Sequence, residues 1–259
     1  NSLTAPRLAV CRQAMTFAPS TAVLHQFVGV PLRLQHLESF AESFAFVSML
    51  KKKSRSGELV LLTHGFMANR WMLLRLSHRL ENSGWRTRCW GYESWRTSVS
   101  VHAQAFADVL EDIDCDSSVT TVHLVTHSMG CIIARAALPL YHPKKLGRFV
   151  MLAPPNRGSF IATATASLLG RFLQPISELT TDASSFVNKT PQPSNVEIGI
   201  IAASRDALVA MDATRLDVPH QHVTIPCLHS SLLFRRDSAE RVEQFLDSGT
   251  FIGSNTSYE

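Results

Sequence analysis

The stretch VHLVTHSMGCIIARAA, residues 122–137, decides the fold. Residues 122–127 form a short, mostly apolar run typical of a buried strand, and the small residues after Gly130 favour a helix. Ser128 stands between the two, where the chain must turn sharply. A strand, a tight turn with a serine and a helix predict a nucleophile elbow, which lifts the serine hydroxyl clear of a sheet. The alternative interpretation is a serine that only caps a helix N-terminus.

Predicted strands and helices alternate on both sides of the elbow. Strands are predicted over 58–63, 85–92, 148–153, 196–203 and 221–225, and helices over 69–83, 101–114, 212–216 and 238–246. This alternation predicts an α/β fold, with a mostly parallel sheet and helices on both faces. Ligands of such sheets bind beyond the carboxyl ends of the strands, where His64, Ser128 and Pro154 fall.

The remaining segments define the predicted domain organisation. Residues 1–57 are expected to be an N-terminal extension that packs on a core domain over 58–249. Residues 159–195 interrupt the alternation, and an insertion of this length predicts a cap or partial lid, with a helix over 160–173. Residues 250–259 are polar, and we expect a flexible tail there.

Composition restricts the class of protein. Of 259 residues, 45% are hydrophobic and 18% are charged, which is typical of a folded globular chain and excludes disorder. The basic run 51–53 with Arg55 is interpreted as a solvated loop. Because no aromatic stacking platform accompanies this run, we expect no nucleic-acid partner.

The cysteines and the first residue of the sequence do not determine the cellular compartment. The five cysteines are scattered without metal-ligand spacing, so we expect no metal site and no dense disulfide framework, while one disulfide is left open. Cys89, Cys131 and Cys227 stand in apolar contexts and are predicted to be buried. The sequence contains no run of about eighteen apolar residues, so we expect no transmembrane helix. The chain begins at Asn1, so an exported protein that has lost a leader and a cytoplasmic protein both stay open.

Three residues occur in an order that predicts nucleophilic catalysis. A serine hydroxyl becomes a nucleophile when a base takes its proton and a carboxylate orients that base. Ser128 is followed by Asp206 at a strand end and then by His229 in the loop after the last strand. Asp212 is a competing acid, but it lies farther from the strand end, and Asp182 lies in the insertion. We therefore predict Ser128, Asp206 and His229 as the catalytic residues.

The base has to be chosen from eleven histidines. His127 is adjacent to Ser128 and is expected to point elsewhere. His220 and His222 lie before or within the last strand, at its wrong end. His229 comes just after that strand, which favours it.

Two backbone amides are predicted to form an oxyanion hole. The amide of Met129 lies at the N-terminus of the elbow helix, where backbone N–H groups lack partners. The second amide is expected from Phe66, because Gly65 permits a sharp turn after the first core strand. Losing one such donor typically costs about 10²–10³ in rate.

At this point the chain resembles an α/β-hydrolase, and specifically the small bacterial lipases and esterases. The resemblance rests on HGF at 64–66, THSMG at 126–130, APPNRGS at 153–159, DALV at 206–209, and His229. It covers roughly 58–246. Thr126 departs from the usual G-x-S-x-G pattern, in which the first position is glycine, although the family tolerates other small residues there.

The resemblance implies ester hydrolysis through an acyl-enzyme on Ser128, with no metal or organic cofactor. The implied partner is a small-molecule or lipid ester, and the apolar stretch 160–173 favours a lipid. Peripheral contact with a lipid surface is left open. An acyltransferase or thioesterase with the same triad is one alternative, and a binding protein on a hydrolase fold is another. The sequence does not determine the oligomeric state.

Overall fold

A computed structural model describes residues 55–160, 162–164 and 174–251. The strands are β1 (Glu58–Thr63), β2 (Arg86–Trp90), β3 (Thr121–His127), β4 (Leu146–Leu152), β5 (Glu197–Ala203) and β6 (Gln221–Ile225). The α-helices are α1 (Leu74–Asn82), α2 (Val99–Cys115), α3 (Met129–Ala137), α4 (Gln174–Glu178), α5 (Phe186–Lys189) and α6 (Arg236–Ser248). Short 3₁₀ helices span Arg70–Leu73, Asp212–Thr214 and His229–Leu233. Most of the predicted N-terminal extension, most of the 160–173 helix and the tail beyond residue 251 lie outside the described residues. The predicted flexible tail is wrong at Phe251, which is 3% exposed because its ring packs on Phe245, 5.0 Å away between ring centres.

The six strands form one sheet in the order β2-β1-β3-β4-β5-β6. Every neighbouring pair is parallel, which confirms the predicted sheet. Because the strands run in one direction, the loops after β1, β3, β4, β5 and β6 emerge at the same edge. The segments after β1, β3, β5 and β6 contain the predicted site residues.

Helices cover both faces of the sheet, as the alternation predicts. In β1, Leu59 and Leu61 pack in a cluster with α2 and α3, whereas Val60 and Leu62 pack with α1 and α6. Successive side chains of a strand point to opposite faces, so a strand that is covered on both faces is apolar throughout. This explains the continuous apolar run of residues 59–62 within β1.

Helix boundaries follow local chemistry. The predicted 69–83 helix begins as the 3₁₀ turn Arg70–Leu73, where the Asn69 side chain accepts a hydrogen bond from the Trp71 amide at 3.0 Å. The chain leaves this helix at Gly84, whose φ of +94° suits glycine. Helix α3 ends at Ala137, before the Pro139 that is predicted to stop it.

Two predictions about single side chains are wrong. Arg55 is not solvated, because its side chain is 7% exposed, bonds to Asp247 and lies 3.6 Å from the centre of the Trp85 ring. Cys89 is only half-buried, because β2 is an edge strand and has a neighbour on one side. Cys131 and Cys227 are buried as predicted, and the described cysteines are free thiols. Among the described helices, none has the length and apolar character to cross a membrane.

The buried His123 makes stability depend on pH. Burial, together with the charges of Arg148 and Arg55, lowers its pKa from an ordinary 6.5 to about 4. The Glu58 carboxylate, 3.6 Å from Nε2, does not reverse this shift. A histidine whose pKa folding depresses adds stability above pH 6.5 that is lost as the pH falls toward 4. We therefore expect the free energy of unfolding to fall across this window.

Urea unfolding at a series of pH values tests this expectation. In His123→Asn the amide oxygen retains an acceptor for the Arg148 N–H, which donates to His123 Nδ1 at 2.9 Å. This variant should lose less stability between pH 6.5 and about 4 than the parent protein. An equal loss in both proteins would contradict the assignment.

Candidate active site

Ser128 occupies the turn between β3 and α3. Its φ of 53° and ψ of −125° lie outside the regions that residues other than glycine prefer, as expected for a nucleophile elbow. Its N–H donates to the Leu152 carbonyl, and its carbonyl accepts from the Cys131 N–H, both at 2.9 Å. Ser128 is half-buried while His127 and Met129 on either side are buried. The turn therefore leaves Ser128 more accessible than the residues on either side of it.

Two glycines allow the loop after β1 to lie directly against this turn. A Cβ on Gly130 would come 2.5 Å from the His64 carbonyl oxygen. A Cβ on Gly65 would come 2.7 Å from the Cβ of Ser128. Neither distance is tolerated, so both positions require glycine. The close approach brings the Phe66 segment, the predicted source of the second amide, next to the serine.

Thr126 fits the place where the usual motif has glycine. The residue is fully buried in β3, and its hydroxyl donates to the Cys131 sulfur at 3.1 Å. The bond joins the strand to the first turn of α3. Burial raises the pKa of the Cys131 thiol to about 12, so the sulfur stays protonated and unreactive.

Asp206 and His229 meet at the carboxyl edge of the sheet. His229 Nδ1 donates to Asp206 Oδ2 at 2.6 Å, and Asp206 Oδ1 accepts from the amides of Leu208 and Val209 at 2.8 and 3.0 Å. Burial raises the pKa of Asp206, but these bonds and the charge of His229 outweigh it, so the pKa is lowered. An ionised carboxylate only accepts hydrogen bonds, which fixes the imidazole proton on Nδ1 and leaves Nε2 available as a base.

The competing candidates lie elsewhere. Asp212 and Asp182 are exposed, and neither bonds to His229. His222 bonds through Nε2 to a threonine hydroxyl and His220 through Nδ1 to a backbone carbonyl, and neither lines the cavity described below. Within the described ranges, no three His, Cys, Asp or Glu side chains cluster as metal ligands.

His127 does not point away, contrary to expectation. It lines the same cavity as Ser128, its ring centre is 4.9 Å from that of His229, and its Nε2 is 3.4 Å from the His229 carbonyl oxygen. The alternation of side chains holds only within a strand, and β3 ends at His127. Burial and the charge of His229 lower its pKa to about 3, so His127 is neutral.

A cavity of about 330 Å³ opens beside these residues. Ser128, His229 and Phe66 line it, and most of the other lining residues are apolar, including Pro155, Ile176, Leu179 and Val209. The volume lies within the range of small-molecule pockets. Among the described residues the Ser128 hydroxyl forms no hydrogen bond with His229, and such bonds often tighten only when substrate is bound.

Sequence reasoning missed the role of His64 and its partner Tyr92. His64 Nδ1 donates to the Gly65 carbonyl at 2.9 Å, and Nε2 accepts from the Tyr92 N–H at 3.3 Å. The Tyr92 hydroxyl donates to the His64 carbonyl at 2.7 Å, and the two rings stack 4.3 Å apart. The Gly65 carbonyl and the Phe66 N–H belong to one planar peptide. His64 thereby fixes the direction of the Phe66 amide, and burial keeps it neutral by lowering its pKa.

Arg135 is a second residue that sequence reasoning missed. Its guanidinium is buried in α3 and donates to the Asn156 carbonyl and side chain at 3.2 and 3.0 Å, and to the Thr190 carbonyl at 2.9 Å. Asn156 in turn donates to the Thr214 carbonyl at 2.7 Å. Burial lowers the pKa of Arg135 to about 10. The residue ties the elbow helix to the loop after β4 and to the insertion.

Comparison with known proteins identifies the family of this fold. A family model described as the alpha/beta hydrolase family matches residues 59–249. The structure is similar to mature Bacillus licheniformis lipase BlEst2, with 16% identity, a TM-score of 0.62 and coverage of 76% of this chain and 94% of that chain. It is also similar to Aspergillus fumigatus lipase B, with 15% identity, a TM-score of 0.59 and coverage of 73% of this chain and 52% of that chain. A third similar structure is Legionella pneumophila phospholipase PlaB, with 19% identity, a TM-score of 0.55 and coverage of 73% of this chain and 62% of that chain. At these identities the similarity is one of fold. No protein with a curated description matches the chain.

The bond from Tyr92 to His64 predicts a measurable stability cost. Tyr92→Phe keeps the stacked ring but leaves the buried His64 carbonyl without the hydroxyl that bonds it. We expect the free energy of unfolding in urea to fall by about 1–3 kcal/mol. Tyr141→Phe, which removes a hydroxyl bonded to Asp114 nearer the surface, is the control and should cost less. A loss no larger than the control's would count against the role of this bond.

Proposed function

Because the chain belongs to the alpha/beta hydrolase family, we propose that it is a serine hydrolase that cleaves carboxylic esters through an acyl-enzyme on Ser128. One observation carries this proposal. His229, held by a 2.6 Å hydrogen bond to the buried carboxylate of Asp206, lines the same cavity as a serine on a strained turn. A base that is oriented by a carboxylate and shares a cavity with a serine hydroxyl is the arrangement that activates serine.

The reaction follows from the assigned roles. Nε2 of His229 takes the hydroxyl proton while Ser128 Oγ attacks the ester carbonyl, and Asp206 stabilises the imidazolium that forms. His229 then gives the proton to the leaving alcohol as the carbonyl–oxygen bond breaks. Water attacks the acyl-serine with His229 again as base, which releases the carboxylic acid and restores the hydroxyl on Ser128.

Two backbone amides are proposed to stabilise the negative charge on the carbonyl oxygen. Met129 is the first residue of α3, so its N–H has no acceptor four residues back in the helix, and the helix dipole favours an anion there. The Phe66 N–H belongs to the peptide that His64 holds in place. Donors that are fixed before the reaction need no reorganisation as the charge develops.

The substrate is proposed to be an ester with an apolar acyl chain. Ile176 and Leu179, both within the insertion 159–195, contribute apolar walls to the cavity. Part of the insertion therefore covers one side of the proposed site, in keeping with a partial cap. The names of BlEst2 and of Aspergillus fumigatus lipase B indicate lipases, which supports the lipid end of this class.

Substitution of the proposed catalytic residues tests the function. Ser128→Ala and His229→Ala should each lower the hydrolysis of p-nitrophenyl esters by a factor on the order of 10³ or more, because such residues act as a unit. Asp206→Asn should also be severe. Asp212→Asn is the matched control, because this exposed aspartate lies on the same loop and makes no bond to His229.

Turnover that survives in Ser128→Ala, or an equal loss in Asp212→Asn, would contradict the assignment. A fluorophosphonate probe should label the parent protein at Ser128. Labelling without turnover of any ester would indicate an activated serine that needs another acyl acceptor, whereas absence of both would favour a binding role.

From the apolar walls of the cavity we predict which acyl-chain lengths the protein prefers in its ester substrates. Ile176→Trp should fill part of the acyl site and lower the ratio of long-chain to short-chain ester hydrolysis by about tenfold or more. Leu140→Trp, at an exposed position outside the cavity, is the control and should leave the ratio unchanged. Rates for p-nitrophenyl esters of increasing acyl length measure the ratio, and an unchanged ratio in Ile176→Trp would remove this wall from the acyl site.

A further inference from the structure

Exposed apolar side chains gather around the mouth of the cavity. Ten large apolar side chains are exposed among the described residues, and five of them form what we call the apolar rim: Met67 (76% exposed), Trp71 (63%), Phe160 (67%), Leu208 (41%) and Leu228 (61%). Met67 and Leu208 line the cavity themselves. The other three directly neighbour cavity-lining residues in the chain, which are Met72, Ser159 and His229. Half of the exposed apolar groups therefore line the cavity or directly adjoin its lining residues in the chain.

The rim is built from separate loops that are fixed to one another. Ser159 Oγ donates to the Leu208 carbonyl at 2.8 Å, which joins the segment that carries Phe160 to the loop after β5. The Arg205 amide donates to the Cys227 carbonyl at 3.0 Å, which joins the same loop to the segment that carries Leu228. These bonds hold the apolar side chains at the edge of the sheet where the cavity opens.

The charges around the rim are mainly positive. Segments 66–75, 159–164, 205–208 and 226–230 contain three arginines and one carboxylate. The carboxylate is Asp206, which is already bonded to His229. Arg70, Arg75 and Arg205 are exposed, and none of them forms an ion pair within the described ranges. Arg70 also lies over the ring of Trp71, 5.0 Å from its centre.

We propose that the apolar rim docks this protein on the surface of an anionic phospholipid bilayer. Large exposed apolar side chains near the cavity can enter the headgroup boundary, and exposed arginines that form no ion pair with the described residues match the negative surface of such a bilayer. A contiguous apolar patch rimmed by polar groups is a known mark of an interaction site. The inference rests on the proposed function, since docking in this orientation places the cavity mouth where an ester could enter directly from the lipid.

Vesicle sedimentation of the full chain with Ser128→Ala tests the docking without hydrolysis of the lipid. This protein should sediment with vesicles of phosphatidylcholine and phosphatidylglycerol in equal parts, and far less with phosphatidylcholine alone. Adding Trp71→Ser and Phe160→Ser should weaken the binding about tenfold or more, because two large apolar side chains are lost from the boundary. Raising the salt concentration should also weaken it.

Leu140→Ser is the matched control, because Leu140 is 55% exposed but lies outside the cavity mouth. It should bind vesicles as the Ser128→Ala protein does. A circular dichroism spectrum and a Tm like those of the parent show that each variant is folded. Absence of binding to anionic vesicles, equal binding to both compositions, or binding that Trp71→Ser and Phe160→Ser leave unchanged would overturn the proposal. Because binding is read without turnover, its failure is separate from failure of the esterase activity.

Discussion

The close approach of two backbone segments is the constraint on which the rest of the site depends. The loop after β1 passes so near the turn at Ser128 that a Cβ at Gly65 or Gly130 would come within 2.7 or 2.5 Å of other atoms. The left-handed φ of Ser128 is kept because α3 and the sheet fix the chain on either side. Without this approach, the segment that contains Phe66 would not lie next to the serine.

Buried polar side chains hold the surrounding loops in register. His64 with Tyr92, Arg135 with Asn156, and Asp206 with His229 each join segments that are distant in the chain. A buried polar group is costly unless it is hydrogen-bonded, so each pair has few alternative arrangements. The candidate site therefore lies at the edge of the sheet, while the described part of the insertion contributes mainly apolar residues to the cavity wall.

Polar and apolar groups are separated by their distance from the sheet. The hydrogen-bonded groups lie at the strand ends, most residues that line the cavity are apolar, and the apolar rim is exposed to solvent. Polar groups placed where water is excluded act more strongly on a developing charge than they would in water. An apolar path from the surface to these groups suits an ester with a greasy chain better than a charged substrate.

The sequence by itself determined the sheet, the elbow and the order of the site residues. β1 and β6 have the predicted bounds, because apolar and β-branched residues and the turn residues that flank them are local signals. Asp206 and His229 lie together because each follows a strand of the parallel sheet, and the carboxyl ends of parallel strands meet at one edge. Only the tertiary structure decided that His127 lines the cavity, that Tyr92 holds His64, that Arg135 is buried and that Cys89 is half-exposed. These features depend on contacts between segments far apart in the chain and on how the chain turns after a strand ends. The periodicity of the sequence predicts neither the contacts nor the turn.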